Sequence, residues 1–228
     1  YRANAELAKQ VVSDITQAGG DAFLAGGDVS DEDSSQAVVK GGLDRCGHID
    51  ILINNAVNSV AAPFMELADE DWLNHINVKV MGYVRCARAA IPHMISRGGG
   101  RIINVTNLGG RTPGPASMPT SISRAAGIAI TKGLSKDLAK ENILVTTVCI
   151  GLVKSGQHQR RYDARLEKEP NLSLDTFYDE LAQARSVPIG RVAEPEEAGD
   201  VIAFLASERA SYLTGIAVNL DGGASAVL

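Results

Sequence analysis

Four histidines, at positions 48, 75, 93 and 158, come first, because imidazole is the commonest metal ligand and a frequent general base. Their spacing shows neither an HExxH pattern nor paired ligands, so they are read as structural or solvent-facing side chains and no metal site is expected. The three cysteines, Cys46, Cys86 and Cys149, are odd in number and far apart, which suits neither a disulfide framework nor a thiolate metal site. They read as buried thiols in a reducing compartment, and a cytoplasmic location is expected. The 23 glycines would let backbone approach a nucleotide, yet neither GxGxxG nor GxxxGxG occurs in the chain.

Length and charge narrow the rest. The 228 residues suffice for one domain with a sizeable core. A net charge of −5, from 22 Lys+Arg against 27 Asp+Glu, leaves no electrostatic footprint for nucleic acid or an anionic membrane surface. No apolar run approaches the roughly 18 residues of a membrane span, and the N-terminus lacks a basic stretch leading into an apolar one.

The elements follow from periodicity. Residues 4–18 place Leu7, Val11, Val12 and Ile15 at helical spacing before Gly19-Gly20. A short apolar run at 22–25 reads as a strand, and Ser30-Asp31-Glu32-Asp33 supplies an acidic cap for a helix through Arg45. Residues 49–53 are bare apolar and of strand length, as expected for a strand covered on both faces, and end in Asn54-Asn55-Ala56. One long helix is predicted over 69–97, with Trp72, Ile76, Val80, Val84, Ala87 and Ile91 as its apolar stripe. A strand at 102–105, a helix over about 119–140 crowded with small residues, and strands at 143–150 and 216–220 complete five strands interleaved with helices. Residues 152–188 break this rhythm and read as a lid. The expectation is a single α/β domain over residues 1–228 with a mainly parallel sheet.

Taken in order, Asp28-Val29, Ile51-Leu52-Ile53-Asn54-Asn55-Ala56, Arg101-Ile102-Ile103-Asn104-Val105, Pro188-Ile189-Gly190-Arg191, Glu194-Pro195-Glu196-Glu197, Leu213-Thr214-Gly215 and Leu220-Asp221-Gly222-Gly223 resemble the short-chain dehydrogenase/reductase family. The similarity covers essentially the whole chain and is nearest to the ketoacyl reductase branch. It implies a Rossmann-like, doubly wound sheet with helices on both faces, NAD or NADP as cofactor, a small-molecule substrate, and a homodimer or homotetramer built from two long helices. It also implies that Tyr1-Arg2 falls at the end of the family's second strand, with about 30 to 45 residues of a βαβ start, glycine-rich turn included, absent from this sequence.

By the same resemblance, the family's Ser, Tyr and Lys positions are here Asn107, Thr120 and Arg124. Thr120 carries an alcohol far less acidic than a phenol, Asn107 can still donate a hydrogen bond to a carbonyl oxygen, and Arg124 stays cationic without relaying protons. Asn77 matches the helix Asn that organises water beside the family Lys. On the cofactor side the resemblance assigns Asp28 to the adenine amino group with Val29 beside the ring, and Asn54, Ala56 and Val57 to the adenosine end. Gly151, Val153 and Ser155 fall in the segment that holds the carboxamide, Arg124 faces the ribose, and Arg2 is placed to meet a 2′-phosphate.

Three functions are compatible with these residues. The first is a nicotinamide-dependent oxidoreductase acting on a carbonyl or secondary alcohol, its proton supplied by water or by a lid residue such as His158 or Tyr162. The second is a non-redox enzyme resembling haloalcohol dehalogenases, in which Arg replaces the family Lys. The third is a catalytically silent subunit or binding module.

Overall fold

β-Branched, apolar runs form the centre of the sheet. In the computed structural model, which describes residues 1–2, 4–57 and 61–227, the chain runs through α1 (Ala5–Gln17), α2 (Glu32–Cys46), β1 (Ile51–Asn54), β2 (Ala61–Ala62) and α3 (Asp69–His75). A π-helical turn (Ile76–Met81) leads directly into α4 (Gly82–Ser96), followed by β3 (Gly100–Asn107), β4 (Met118–Pro119), α5 (Thr120–Asp137) and β5 (Ile143–Ile150). Then come α6 (Gly156–Leu166), α7 (Leu174–Ala184), α8 (Pro195–Ala206) and β6 (Ala217–Leu220). The main sheet has the order β1-β3-β5-β6 and every pairing is parallel, with Asn54 opposite Asn104 and Asn107 opposite Ile150.

Strand alternation builds a core on each face. Ile102 points into a cluster with Ala87, Ala90 and Met94 of α4, together with Ile143 and Val145 of β5. Its neighbour Ile103 points the other way, to Val148 and Leu205 of α8. The doubly wound architecture is therefore the one anticipated.

Several local expectations are corrected. Among the described residues the run at 22–25 forms no ladder with the main sheet; beside it the Tyr1 nitrogen donates to the Ala25 carbonyl at 3.1 Å and the Tyr1 carbonyl accepts from Gly27 N–H at 3.0 Å. Among the described residues the parallel sheet thus has four strands where the sequence reading has five, and a short antiparallel pair, β2 with β4, is added to that reading. β1 is covered on one face only: Leu52 packs under α4, whereas Ile51 and Ile53, each 45% exposed, lie on the face where α8 packs farther along the sheet. Cys46 is exposed at the end of α2, while Cys86 and Cys149 are buried as expected, and all three are free thiols.

The long helix differs most from its prediction. Its buried stripe is His75, Lys79, Tyr83, Cys86, Ala90 and Met94, one residue earlier in phase than the apolar pattern suggests; Ala87 is buried as predicted, and Ile76 is exposed. The offset is already present at His75 and persists unchanged through the π-helical turn that follows it.

Candidate functional site

Asn107 stands at the carboxyl end of the central strand β3, and Thr120 and Arg124 follow on the first turns of α5. The Asn107 Oδ1 accepts from the Gly109 N–H at 3.0 Å, which commits the oxygen to the loop and turns the Nδ2 donors outward. Arg124 is 9% exposed and donates through Nη1 to the Val105 carbonyl at 3.3 Å, while its Nε has no partner among the described residues. The loop lies close over it: a Cβ at Gly110 would sit 2.8 Å from the Arg124 Cβ, so glycine there is a requirement of contact. Tyr83 of α4 fixes the other side, its hydroxyl donating to the same Val105 carbonyl.

Two residues missed by the sequence reading complete the cluster. Lys79 and His75 are each 1% exposed, with Lys79 Nζ 3.5 Å from His75 Nδ1, and Thr120 Oγ1 is also 3.5 Å from that nitrogen. Burial, followed by the neighbouring Arg124 charge, pulls the Lys79 ammonium down to about 7. Burial, then the charges of Lys79 and Arg124, hold His75 neutral by lowering it to about 4. Among the described residues Lys79 has no carboxylate partner, so its charge is one the fold tolerates rather than neutralises. The sequence signal that would have found the pair is His75 and Lys79 at i,i+4, in phase with Tyr83, Cys86 and Ala90.

Asn77 has a different place from the expected one. Its Nδ2 donates to the Ser30 carbonyl at 3.0 Å and its Oδ1 accepts from Arg85 at 2.8 Å, so it ties the π-helical turn to the loop at 28–30 and faces away from Lys79. Residues two apart on a helical turn point to opposite sides, and Lys79 takes the inward one.

The remaining assigned positions line the carboxyl ends of the strands. Asp28 is oriented by Ser30, whose N–H and hydroxyl both donate to Oδ1, and those bonds hold its carboxyl below the usual range; Arg2 lies 3.5 Å from its Oδ2. Val29 packs on Gly82 at the start of α4. Asn54 is buried and donates to Asn104 Oδ1 at 2.9 Å, in a chain that runs on through Thr131 to Thr147. Ala56 and Val57 follow it, exposed. Gly151 is squeezed by Asp221, whose Cβ would lie 2.7 Å from any added Cβ, and Val153 bridges to Ala193. Ser155 is exposed with its hydroxyl 3.3 Å from His158 Nδ1. His158 and Tyr162, the expected lid donors, are engaged within the excursion, the Tyr162 hydroxyl donating to the Leu172 carbonyl at 2.9 Å.

Comparison with known proteins places the chain in a family. A family model described as Enoyl-(Acyl carrier protein) reductase matches residues 1–225. The 3-oxoacyl-[acyl-carrier-protein] reductase FabG of Thermotoga maritima is 34% identical over 195 residues, 86% of this chain and 74% of the relative. L-Sorbose reductase from Gluconobacter frateurii, solved in complex with NADPH and L-sorbose, superposes with a TM-score of 0.93 at 29% identity, covering 100% of this chain and 86% of that one. A short-chain oxidoreductase from Pseudomonas aeruginosa PAO1, described as containing an atypical catalytic center, superposes at 0.92 with 30% identity, covering 100% and 87%.

Proposed function

The chain belongs to the short-chain dehydrogenase/reductase family, and from that premise we propose that it interconverts a carbonyl and a secondary alcohol with NAD or NADP, using Lys79 as its proton-handling group. The observation that carries this reading is a lysine 1% exposed, drawn to about 7, beside the positions where the family keeps its tyrosine and lysine.

The residues present fit a nicotinamide nucleotide at both of its ends. The orphaned Nε of buried Arg124 is a donor that ribose hydroxyls would satisfy, and the exposed Ser155 hydroxyl beside Gly151 and Val153 suits a carboxamide. Asp28, already oriented by Ser30, offers an acceptor for an adenine amino group near Asn54, Ala56 and Val57, with Arg2 next to it for a 2′-phosphate. When bound, the nicotinamide supplies the hydride in one direction and accepts it in the other.

The chain's own residues handle the oxygen and its proton. Asn107, its Oδ1 held by Gly109, presents Nδ2 to polarise a carbonyl oxygen. Lys79, with an acid strength matched to neutral pH, gives that oxygen a proton and returns to the amine, or takes the proton in the alcohol direction. Thr120 positions the oxygen between them, and Arg124 keeps the neighbouring charge that tunes Lys79.

Assembly as a homodimer or homotetramer is supported by an exposed stripe on α5, Ile122, Ala125, Ala129 and Gly133, whose small side chains allow close approach of a second helix. No helix among the described residues is long and apolar enough to cross a membrane. Work in the cytoplasm fits the three free thiols.

The test pairs binding with turnover. NADH and NADPH titrations, read by nicotinamide fluorescence and melting temperature, are expected to saturate, since a ligand of the folded state raises its stability. A carbonyl panel should then give turnover that Lys79→Met lowers by about 100-fold or more, with cofactor affinity held within about threefold. Saturable binding without turnover would favour the silent-subunit reading, to which the loss of the family's tyrosine at Thr120 points. Silence toward both cofactors in a folded protein would overturn the proposal.

A further inference from the structure

The least explained atom in the molecule is the Nε2 of His75. It is buried without a hydrogen-bond partner among the described residues, while Nδ1 of the same ring lies 3.5 Å from both Lys79 Nζ and Thr120 Oγ1. A buried ring nitrogen without a partner is a cost that leucine or phenylalanine would avoid at this position. What an apolar residue would lack is an acceptor at Nδ1.

An ammonium has only donors, so a charged Lys79 can bond to His75 in one way: Nδ1 bare and accepting, the single ring proton on Nε2. That tautomer puts the N–H on Nε2, the ring nitrogen that has no partner among the described residues. Once Lys79 has given up its proton, the same lone pair is available to the Thr120 hydroxyl. One neutral imidazole thus meets either of two donors as the proton state of its neighbour changes, and contacts at the outer limit of hydrogen bonding are those that tighten when a site is filled.

We propose that His75 is a positioning residue whose Nδ1 holds the Lys79 ammonium at the site and passes to the Thr120 hydroxyl when Lys79 is deprotonated, remaining neutral throughout. The inference rests on the reading of Lys79 as the proton-handling group. No net proton passes through the ring: the proton given to substrate comes from Lys79 and is restored from solvent.

The groups that set these proton affinities lie on three sides. His75 and Lys79 sit on the α3–α4 run with Asp71, whose charge acts on His75 in the opposite sense to Lys79 and Arg124. Thr120 and Arg124 face them from α5, and Tyr83 of α4 and Cys149 of β5 lie against Arg124. A bond from the charged form of Lys79 to His75 raises its proton affinity, so removing the acceptor must lower it.

Nitrogen-15 NMR of the wild-type protein is expected to show the His75 Nδ1 unprotonated and Nε2 protonated from pH 5 to 9; a protonated Nδ1 at pH 6 would overturn the proposal. Lysine side-chain NMR then follows the Lys79 titration in His75→Leu and in His75→Asn, whose Oδ1 replaces the ring acceptor. His75→Leu is expected to lower the Lys79 midpoint by about one pH unit and His75→Asn to recover at least half of that. An unchanged midpoint in His75→Leu sinks the inference, and should that variant fail to fold, the wild-type tautomer decides. Neither measurement uses substrate or cofactor, so a failed carbonyl screen would count against the oxidoreductase reading without touching this result.

Discussion

Tyr83 in α4 and Arg124 in α5 donate to one acceptor, the carbonyl of Val105 in β3, the phenol through its hydroxyl and the guanidinium through Nη1 at 3.3 Å. Two helices that pack on the same face of the sheet are thereby pinned to the end of the central strand, and the Arg124 charge is held near Lys79. Because that charge lowers the Lys79 proton affinity, Arg124→Met is expected to move the Lys79 midpoint above 7 by about one unit. Lysine NMR over pH 6 to 10 reads the shift. A midpoint that stays put or falls would mean that Arg124 does not tune Lys79.

Stability should depend on pH in a way that the same cluster dictates. Lys79 binds its proton less tightly folded than unfolded, so between about 7 and 10.5 the unfolded chain holds more protons and stability rises with pH. His75, lowered from 6.5 to about 4, acts likewise on the acid side, and its contribution is lost as pH falls from 6.5 toward 4. Urea melts from pH 5 to 9.5 on wild type and Lys79→Met are expected to show the variant more stable at pH 6, by on the order of a few kcal/mol, with the gap closing toward pH 9.5. A gap that does not narrow would show that Lys79 keeps its ordinary proton affinity in the fold.

Asn107 is assigned to the substrate oxygen because Gly109 already occupies its Oδ1. Asn107→Ala is expected to lower turnover by about 100-fold with little change in cofactor affinity, and Asn107→Ser to recover part of it through its hydroxyl. Steady-state kinetics alongside fluorescence titration separates the two effects. Full activity in the alanine variant would remove Asn107 from the reaction.

The fold was legible where local pattern and tertiary structure agree. β3 and β5 are runs of β-branched residues buried on both faces, and the sheet they centre was foreseen with its helices. The run at 22–25 carries the same local signal, but a strand exists only through its neighbours, and among the described residues it joins no ladder of the main sheet. Asn107, Thr120 and Arg124 were found through register with the family blocks on either side of them. Lys79 and His75 were not, because the apolar periodicity places the inward stripe one residue later and the histidines read as structural or solvent-facing, whereas the inward stripe itself contains both residues. Asn77 was assigned by its resemblance to the family's helix Asn. The phase that decides between Asn77 and Lys79 is set by which side chains pack inward, and so it is a property of the packed structure.

The closeness of α4 and α5 rests on Gly127, where a Cβ would lie 2.9 Å from the Tyr83 Cε2. The ring cannot swing aside cheaply, since its hydroxyl is bonded to Val105. Alanine in place of glycine favours a helix by roughly 0.8 to 1 kcal/mol, whereas forcing a methyl into a packed contact costs about 1 to 3 kcal/mol. The contact therefore outweighs propensity, and Gly127→Ala is expected to destabilise the protein by about 1 kcal/mol in urea melts. Gly199→Ala supplies the opposite sign: that glycine is exposed in α8 with nothing within 4 Å of an added Cβ, so propensity acts alone and stability should rise by about 0.5 to 1 kcal/mol. If both variants were stabilised, the α4–α5 contact would be loose enough to accept a methyl, and Arg124 and Lys79 would lose the rigid spacing on which their mutual tuning depends.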